Sequence, residues 1–130
     1  MDAVRTADVI PPLNDFEEKH APDLLFLEGN RDLLQEGLRV SVVGSRKPSE
    51  GGIKRAAVFC RALVRKNIIV VSGLAQGIDT VAHQTALQQG GRTIAVLGTP
   101  LSQAYPASNK HLLDQIKRYH LAVSQFPEGY

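Results

Sequence analysis

The amino-acid sequence predicts an α/β fold, an open parallel sheet of about four strands with helices on both faces, assembled from successive βαβ units. Three observations carry this. Short β-branched or wholly apolar runs recur along the chain after residue 38. Each ends in a turn rich in Gly, Ser or Thr. Between consecutive runs, apolar residues return every three or four positions, the period of a helix with one buried face.

Arg39–Val43 (RVSVV) is the first strand, closed by Gly44. Ser49 then precedes a helical pattern in which Ile53, Ala56, Ala57, Cys60, Leu63 and Val64 share a face, and Asn67 stops it. Ile68–Val71 is a second strand. It is continuously apolar, as strands covered on both faces are. Gly77–Gln89 reads as a helix through Ile78, Val81, Ala82, Thr85 and Ala86, stopped by Gly90-Gly91. Thr93–Leu97 is the third strand, closed by Gly98. Ser108 is placed to cap a helix carrying Leu112, Leu113 and Ile116, and Leu121–Ser124 is the fourth strand. Residues 39–130 read as one globular unit and residues 1–38 as a lead-in arm. In the arm, Asp23–Leu27 is a short strand or extended segment and Arg31–Glu36 a helical turn. Pro11, Pro12 and Pro22 argue against other regular structure there.

The 130 residues suit a single domain. With 43% hydrophobic and 22% charged residues, wholesale disorder, a collagen-like chain and a disulfide scaffold are all disfavoured. Apolar runs of only a few residues exclude a transmembrane helix, so no membrane partner is expected. Asp2 and Asp8 interrupt the opening residues, unlike a secretory signal. The lone Cys60 points to a reducing, cytoplasmic setting.

Charge is segregated. Residues 1–38 hold nine acids and three bases, a net −6, whereas residues 44–66 hold seven bases and the single acid Glu50, a net +6. A basic block of this kind suits a polyanion.

In open α/β sheets ligands bind beyond the carboxyl ends of the strands. Those ends here are Gly44-Ser45-Arg46, Ser72-Gly73-Leu74-Ala75-Gln76-Gly77 and Gly98-Thr99-Pro100. Glycine admits close backbone approach, the hydroxyls of Ser45, Ser72 and Thr99 offer donors, and Arg46 supplies a forked cation suited to phosphate. With Lys47, Ser49, Gly73, Gly77 and Gly98, these residues make a candidate phosphate-binding lip. G-x-G-x-x-G is absent from the first turn, and G-x-x-x-x-G-K-[ST] is absent altogether, which disfavours dinucleotide enzymes and P-loop NTPases. Asp79 and His83 share a helix face, but two residues make no metal site, and a structural role is expected for both. Neither Ser45 nor Ser72 has an evident base, so no catalytic residue is assigned.

Several strings extend the pattern beyond single turns. Val42-Val43-Gly44-Ser45-Arg46-Lys47-Pro48-Ser49 resembles the first motif of the DprA/Smf family of bacterial DNA-processing proteins. Ser72-Gly73-Leu74-Ala75-Gln76-Gly77-Ile78-Asp79, with Ala82-His83 and Ala86-Leu87, resembles its second. Gly91–Thr99 with Tyr105-Pro106 resembles its third, extended by Asn109-Lys110 and Ser124-Gln125-Phe126-Pro127. Asp23–Asn30 resembles the lead-in. The resemblance implies a Rossmann-like domain that binds single-stranded DNA without cofactor or catalysis. It implies a role in recombination during DNA uptake in natural transformation. It places Gly44, Ser45 and Arg46 on DNA phosphate, with Lys110 as a further candidate. Tyr105 and Phe126 are the aromatics in suitable segments for base stacking. Family members continue beyond the Ser124–Pro127 motif into a half that serves dimerisation and RecA contact. The resemblance is thus to a short version, for which RecA and a homodimer partner are the expectations most affected. Gln76 stands where the family commonly has a base, and Gln125 where it commonly has an acid. The alternative is a small nucleotide or nucleotide-sugar module related to phosphoribohydrolases. Their P-G-G-x-G-T-x-x-E motif is missing, since Gly98-Thr99-Pro100 has no following Glu at the required spacing.

Overall fold

A computed structural model describes residues 1–10 and 12–130. Six strands form one mixed sheet: β1 (Asp2–Arg5), β2 (Leu24–Gly29), β3 (Arg39–Ser41), β4 (Ile69–Ser72), β5 (Thr93–Leu97) and β6 (Leu121–Ser124). Their order across the sheet is β1-β2-β6-β5-β4-β3. The four strands from β3 to β6 are parallel and adjacent in chain order, as the βαβ reading requires. Helices α3 (Glu50–Arg65), α4 (Ile78–Gln88) and α5 (Lys110–Tyr119) connect them. The Ser49 hydroxyl caps α3 by accepting from Gly52 N at 3.1 Å. Asn67, just past its end, adopts the left-handed conformation (φ 58°) that asparagine tolerates.

The sheet is larger than the four strands expected because the lead-in arm joins it. Strand β2 runs antiparallel to β6, with Leu27 opposite Val123, and β1 runs antiparallel to β2. The arm also holds α1 (Thr6–Val9) and α2 (Asp15–His20). Two of the prolines that argued against regular structure, Pro12 and Pro22, lie between these elements, and Pro11 lies outside the described residues. Helix α2 begins with a capping box, in which Asn14 Oδ1 accepts from Glu17 N at 2.8 Å and Glu17 Oε1 accepts from Asn14 N at 3.1 Å.

Helices cover both faces, unequally. When parallel strands are laid down in consecutive order, right-handed crossovers put every connecting helix on the same side. Val42, Val70, Cys60, Leu63, Ala82 and Ala86 accordingly pack α3 and α4 against β3 and β4. Beside them, Ala95, Leu97 and Ala122 meet Leu112, Leu113 and Ile116 of α5. The small Ala95 and Ala122 side chains let α5 sit close to the strands. On the other face Leu25, Leu27, Ile69, Ile94, Leu121 and Val123 are covered by Val9 of α1 and Leu33 of the 3-10 turn Arg31–Leu34. That cover reaches only part of the sheet: Val96 of β5 remains 48% exposed.

Ser108 does not cap α5 as expected. The chain enters α5 through a 3-10 turn, Ala107–Asn109, in which Asn109 N donates to Pro106 O at 2.9 Å. The side chain of Asn109, at the cap position, is committed elsewhere.

Candidate nucleic-acid interface

The first two strand ends are locked together at the carboxyl edge of the sheet. Ile78 N donates to Ser45 O at 3.1 Å. Gly77 has φ +88°, and a side chain there would collide with the Ser45 carbonyl oxygen. A Cβ on Gly44 would lie 2.9 Å from Ile78 Cγ1. Both glycines are therefore required by close approach, and they fix where Arg46 stands.

The second loop is held from the other side. Leu74, 1% exposed, takes a left-handed conformation (φ 60°) that a branched side chain normally avoids. Burial among Leu101, Leu113 and Ile116 anchors it. Asn109, 7% exposed, donates from Nδ2 to Leu74 O at 3.0 Å and to Thr80 Oγ1 at 2.9 Å. Thr80 Oγ1 in turn donates to Ala75 O at 2.7 Å. Asn109 is thus a positioning residue between the second and third strand ends. Among the described residues, no backbone carbonyl takes the N–H of Ala75, Gln76 or Gly77, so this loop keeps donors for an anion.

Between the loops lies a cleft of about 180 Å³ lined by Arg46, Ala75, Gln76, Tyr105, Pro106 and Ala107. Larger cavities occur elsewhere, but this one adjoins the strand ends and an unpaired cation. Arg46 is exposed and forms no ion pair among the described residues. The same holds for every other base from Lys47 to Lys66, so the +6 block is not neutralised by the acidic arm. Lys110, at the start of α5, is exposed and pairs with Asp114 at 3.3 Å. An exposed pair of this kind is weak enough for phosphate to displace the carboxylate.

The candidate lip residues divide by what they do. Gly44, Ser45, Arg46 and Lys47 are exposed on the first loop. The Ser45 hydroxyl accepts from Lys47 N at 3.0 Å and shapes that loop. The Ser49 hydroxyl is the α3 cap. Ser72 is buried and donates to Val42 O at 2.6 Å, tying β4 to the chain after β3. Gly73 N donates to Asp79 Oδ2 at 3.0 Å, so that N–H is taken. Thr99 Oγ1 donates to Gln103 O at 3.1 Å, and a Cβ on Gly98 would meet no described atom within 4 Å. The third strand end therefore reaches the cleft through Tyr105, Pro106 and Ala107 rather than through Gly98 and Thr99. Tyr105, 71% exposed, precedes a cis Pro106. Phe126, the other stacking candidate, instead packs on Tyr130 at 4.9 Å between ring centroids. Ala75 and Gln76 lie in the strand end that the sequence marked, whereas sequence reasoning missed Pro106 and Ala107 as wall residues, for which the Tyr105-Pro106 pair was the available signal.

Asp79 and His83 take structural places. Asp79, 6% exposed, holds Gly73 N. His83 is fully buried, with Nδ1 2.7 Å from Thr93 Oγ1, which itself donates to Val70 O at 3.0 Å. Burial pushes the His83 pKa down from 6.5 to about 4; the nearby Ser72 backbone opposes the shift and His120 adds to it. Burial likewise raises the Cys60 thiol pKa, as in an inert core cysteine. No group of three or more metal-ligating side chains occurs among the described residues. No helix there is long and apolar enough to cross a membrane.

Residues 6–130 match the family model for DNA recombination-mediator protein A. DNA processing protein DprA of Streptococcus pneumoniae is 50% identical over 109 residues, which are 84% of this chain and 38% of that protein. Protein Smf of Escherichia coli is 40% identical over 107 residues, 82% of this chain and 28% of that protein. The chain therefore spans well under half the length of these relatives. The crystal structure of the S. pneumoniae DprA superposes with a TM-score of 0.86 at 44% identity, covering 98% of this chain and 44% of that one. DNA processing protein A of Helicobacter pylori, solved to explain its single-stranded DNA binding mode, shares the fold at a TM-score of 0.78 and 24% identity, covering 100% of this chain and 56% of that one. By its family model, its relatives and its sheet, the chain belongs to the DNA recombination-mediator protein A family, the DprA/Smf proteins.

Proposed function

We propose that this chain binds single-stranded DNA, without sequence preference and without catalysis, and acts in DNA processing and recombination during DNA uptake. One observation carries the reading: Arg46, without an ion pair among the described residues, stands beside a cleft that two interlocked strand-end loops hold open. Its guanidinium fork suits a phosphate, and the free N–H groups of the second loop add neutral donors. Phosphate contacts of this kind position a strand and do not read its sequence. The hydroxyls and carboxylate near the cleft are engaged in holding the loops, which supports binding rather than chemistry. A cytoplasmic setting, a homodimer and RecA as a partner belong to the same proposal. Nothing in the cleft favours the nucleotide-sugar alternative.

The test is fluorescence anisotropy of a labelled ~20-nucleotide single strand at about 50 mM and about 200 mM salt. The wild type is expected to bind at low salt and to weaken steeply at high salt. Arg46→Ala is expected to lower affinity about tenfold or more and to flatten the salt dependence by about one phosphate contact. Unchanged binding by Arg46→Ala would remove the cleft from the mechanism.

A further inference from the structure

A second concavity of about 480 Å³ runs between α4 and α5, on the helical face of the sheet. It begins where the Arg46 cleft ends: Pro106 and Ala107 line the cleft, and the next residues, Ser108 and Asn109, line the groove. Its walls carry three glutamine amides, Gln84 and Gln88 from α4 and Gln115 from α5. All three are exposed, and none is hydrogen-bonded within the chain among the described residues. Leu87 and Leu112 line it as well, and exposed His111 offers a flat ring. Among the described residues, no Asp, Glu, Lys or Arg lines it.

The chemistry differs from that of the cleft. A groove without cations does not gather phosphates. Each side-chain amide, however, presents a donor and an acceptor in one plane and so matches the edge of a nucleobase. The leucines suit the apolar faces of bases, and an imidazole gives a stacking surface. A strand whose phosphates rest on Arg46 and Lys110 has its next nucleotides at the mouth of this groove.

We propose that the groove between α4 and α5 is a base-binding subsite, taking the nucleotides that lie beyond the phosphate-binding cleft. This rests on the reading of the cleft as a DNA site and adds a base contact to it.

The experiment compares wild type, Arg46→Ala and the triple variant Gln84→Ala/Gln88→Ala/Gln115→Ala on two probes, a ~20-nucleotide single strand and the same strand with abasic positions. Alanine at exposed helix positions keeps the helices intact. The triple variant is expected to lose roughly tenfold in affinity for the normal strand, with an unchanged salt slope. On the abasic strand it should bind as the wild type does. His111→Ala should weaken binding to the normal strand, whereas His111→Phe, which keeps a stacking face, should not. A triple variant that binds the normal strand like wild type overturns the inference, and so does one whose salt slope falls with its affinity. If Arg46→Ala binds normally while the triple variant is weakened, the cleft reading fails and the groove stands. A wild type that binds no single strand removes both.

Discussion

His83 is the residue whose ionisation the fold most clearly constrains. It is fully buried, with its Nε2 unpartnered among the described residues and its pKa depressed to about 4. A depressed histidine pKa means that the unfolded chain binds a proton more readily than the native one. The resulting stability is therefore whole above about pH 6.5 and drains away as pH falls toward 4. The full effect is about 3 kcal/mol. His120, also lowered by burial, acts in the same direction. Urea unfolding at about pH 7.5 and about pH 4.5 should show this loss, and equal stability at both would contradict it. The pairing of His83 with Thr93 is invisible in the sequence, because it joins a helix to a strand that follows it. Only the helix-face position of His83, four residues after Asp79, was legible. That spacing puts both on one face with a structural role expected for each, and the fold gives each a different partner.

At the scale of elements, the regular part of the fold was readable because its signals are local. Strand β5 falls where the apolar run lies, and α4 is one residue shorter at each end than the Gly77–Gln89 pattern. Helix α3 starts at its serine cap and stops before an asparagine that accepts a left-handed turn. The strand-end loops were readable as a place but not as a shape. Whether a serine faces ligand or neighbouring strand depends on which loops touch, and Ser72 bonds to a carbonyl thirty residues earlier in the chain. Gly77 makes the same point as a testable matter. Its positive φ and its contact with the first loop leave no room for a methyl group. Gly77→Ala should cost about 1–3 kcal/mol in a thermal or urea melt and disrupt the Arg46 cleft, so DNA affinity falls together with stability. A variant with wild-type melting and wild-type binding would show that the two loops need not meet.

Across the whole molecule, the arm is the part the sequence conveyed least. Its strands are short, and although β1 pairs with nearby β2, β2 gains its own place from β6 at the far end of the sequence. Charge adds a division of labour: the −6 segment covers one face of the sheet, while the +6 segment begins at the carboxyl edge and continues along a helix on the other. Deleting residues 1–30 would uncover Ile94, Leu121 and Val123, which are almost fully buried in the intact fold. Each such side chain contributes roughly 1.5–3 kcal/mol by burial, so the shortened chain is expected to aggregate or to lose its cooperative melt. Size-exclusion chromatography with circular dichroism measures both, and a monodisperse, cooperatively melting product would refute the claim.

The antiparallel pairing of β2 with β6 also orders events in time. Phe26 lies opposite Ser124, so β2 can take its place only after β6, almost a hundred residues later in the chain, has emerged from the ribosome. Contacts this distant are slow to form, because the chain must close a very long loop before they give any return. During synthesis the β3–β6 core has to assemble with one face bare, while the acidic arm waits in solution as an unpaired segment. Its charge then has a use before folding is complete: it keeps the waiting segment soluble and away from other nascent chains until its seam opens.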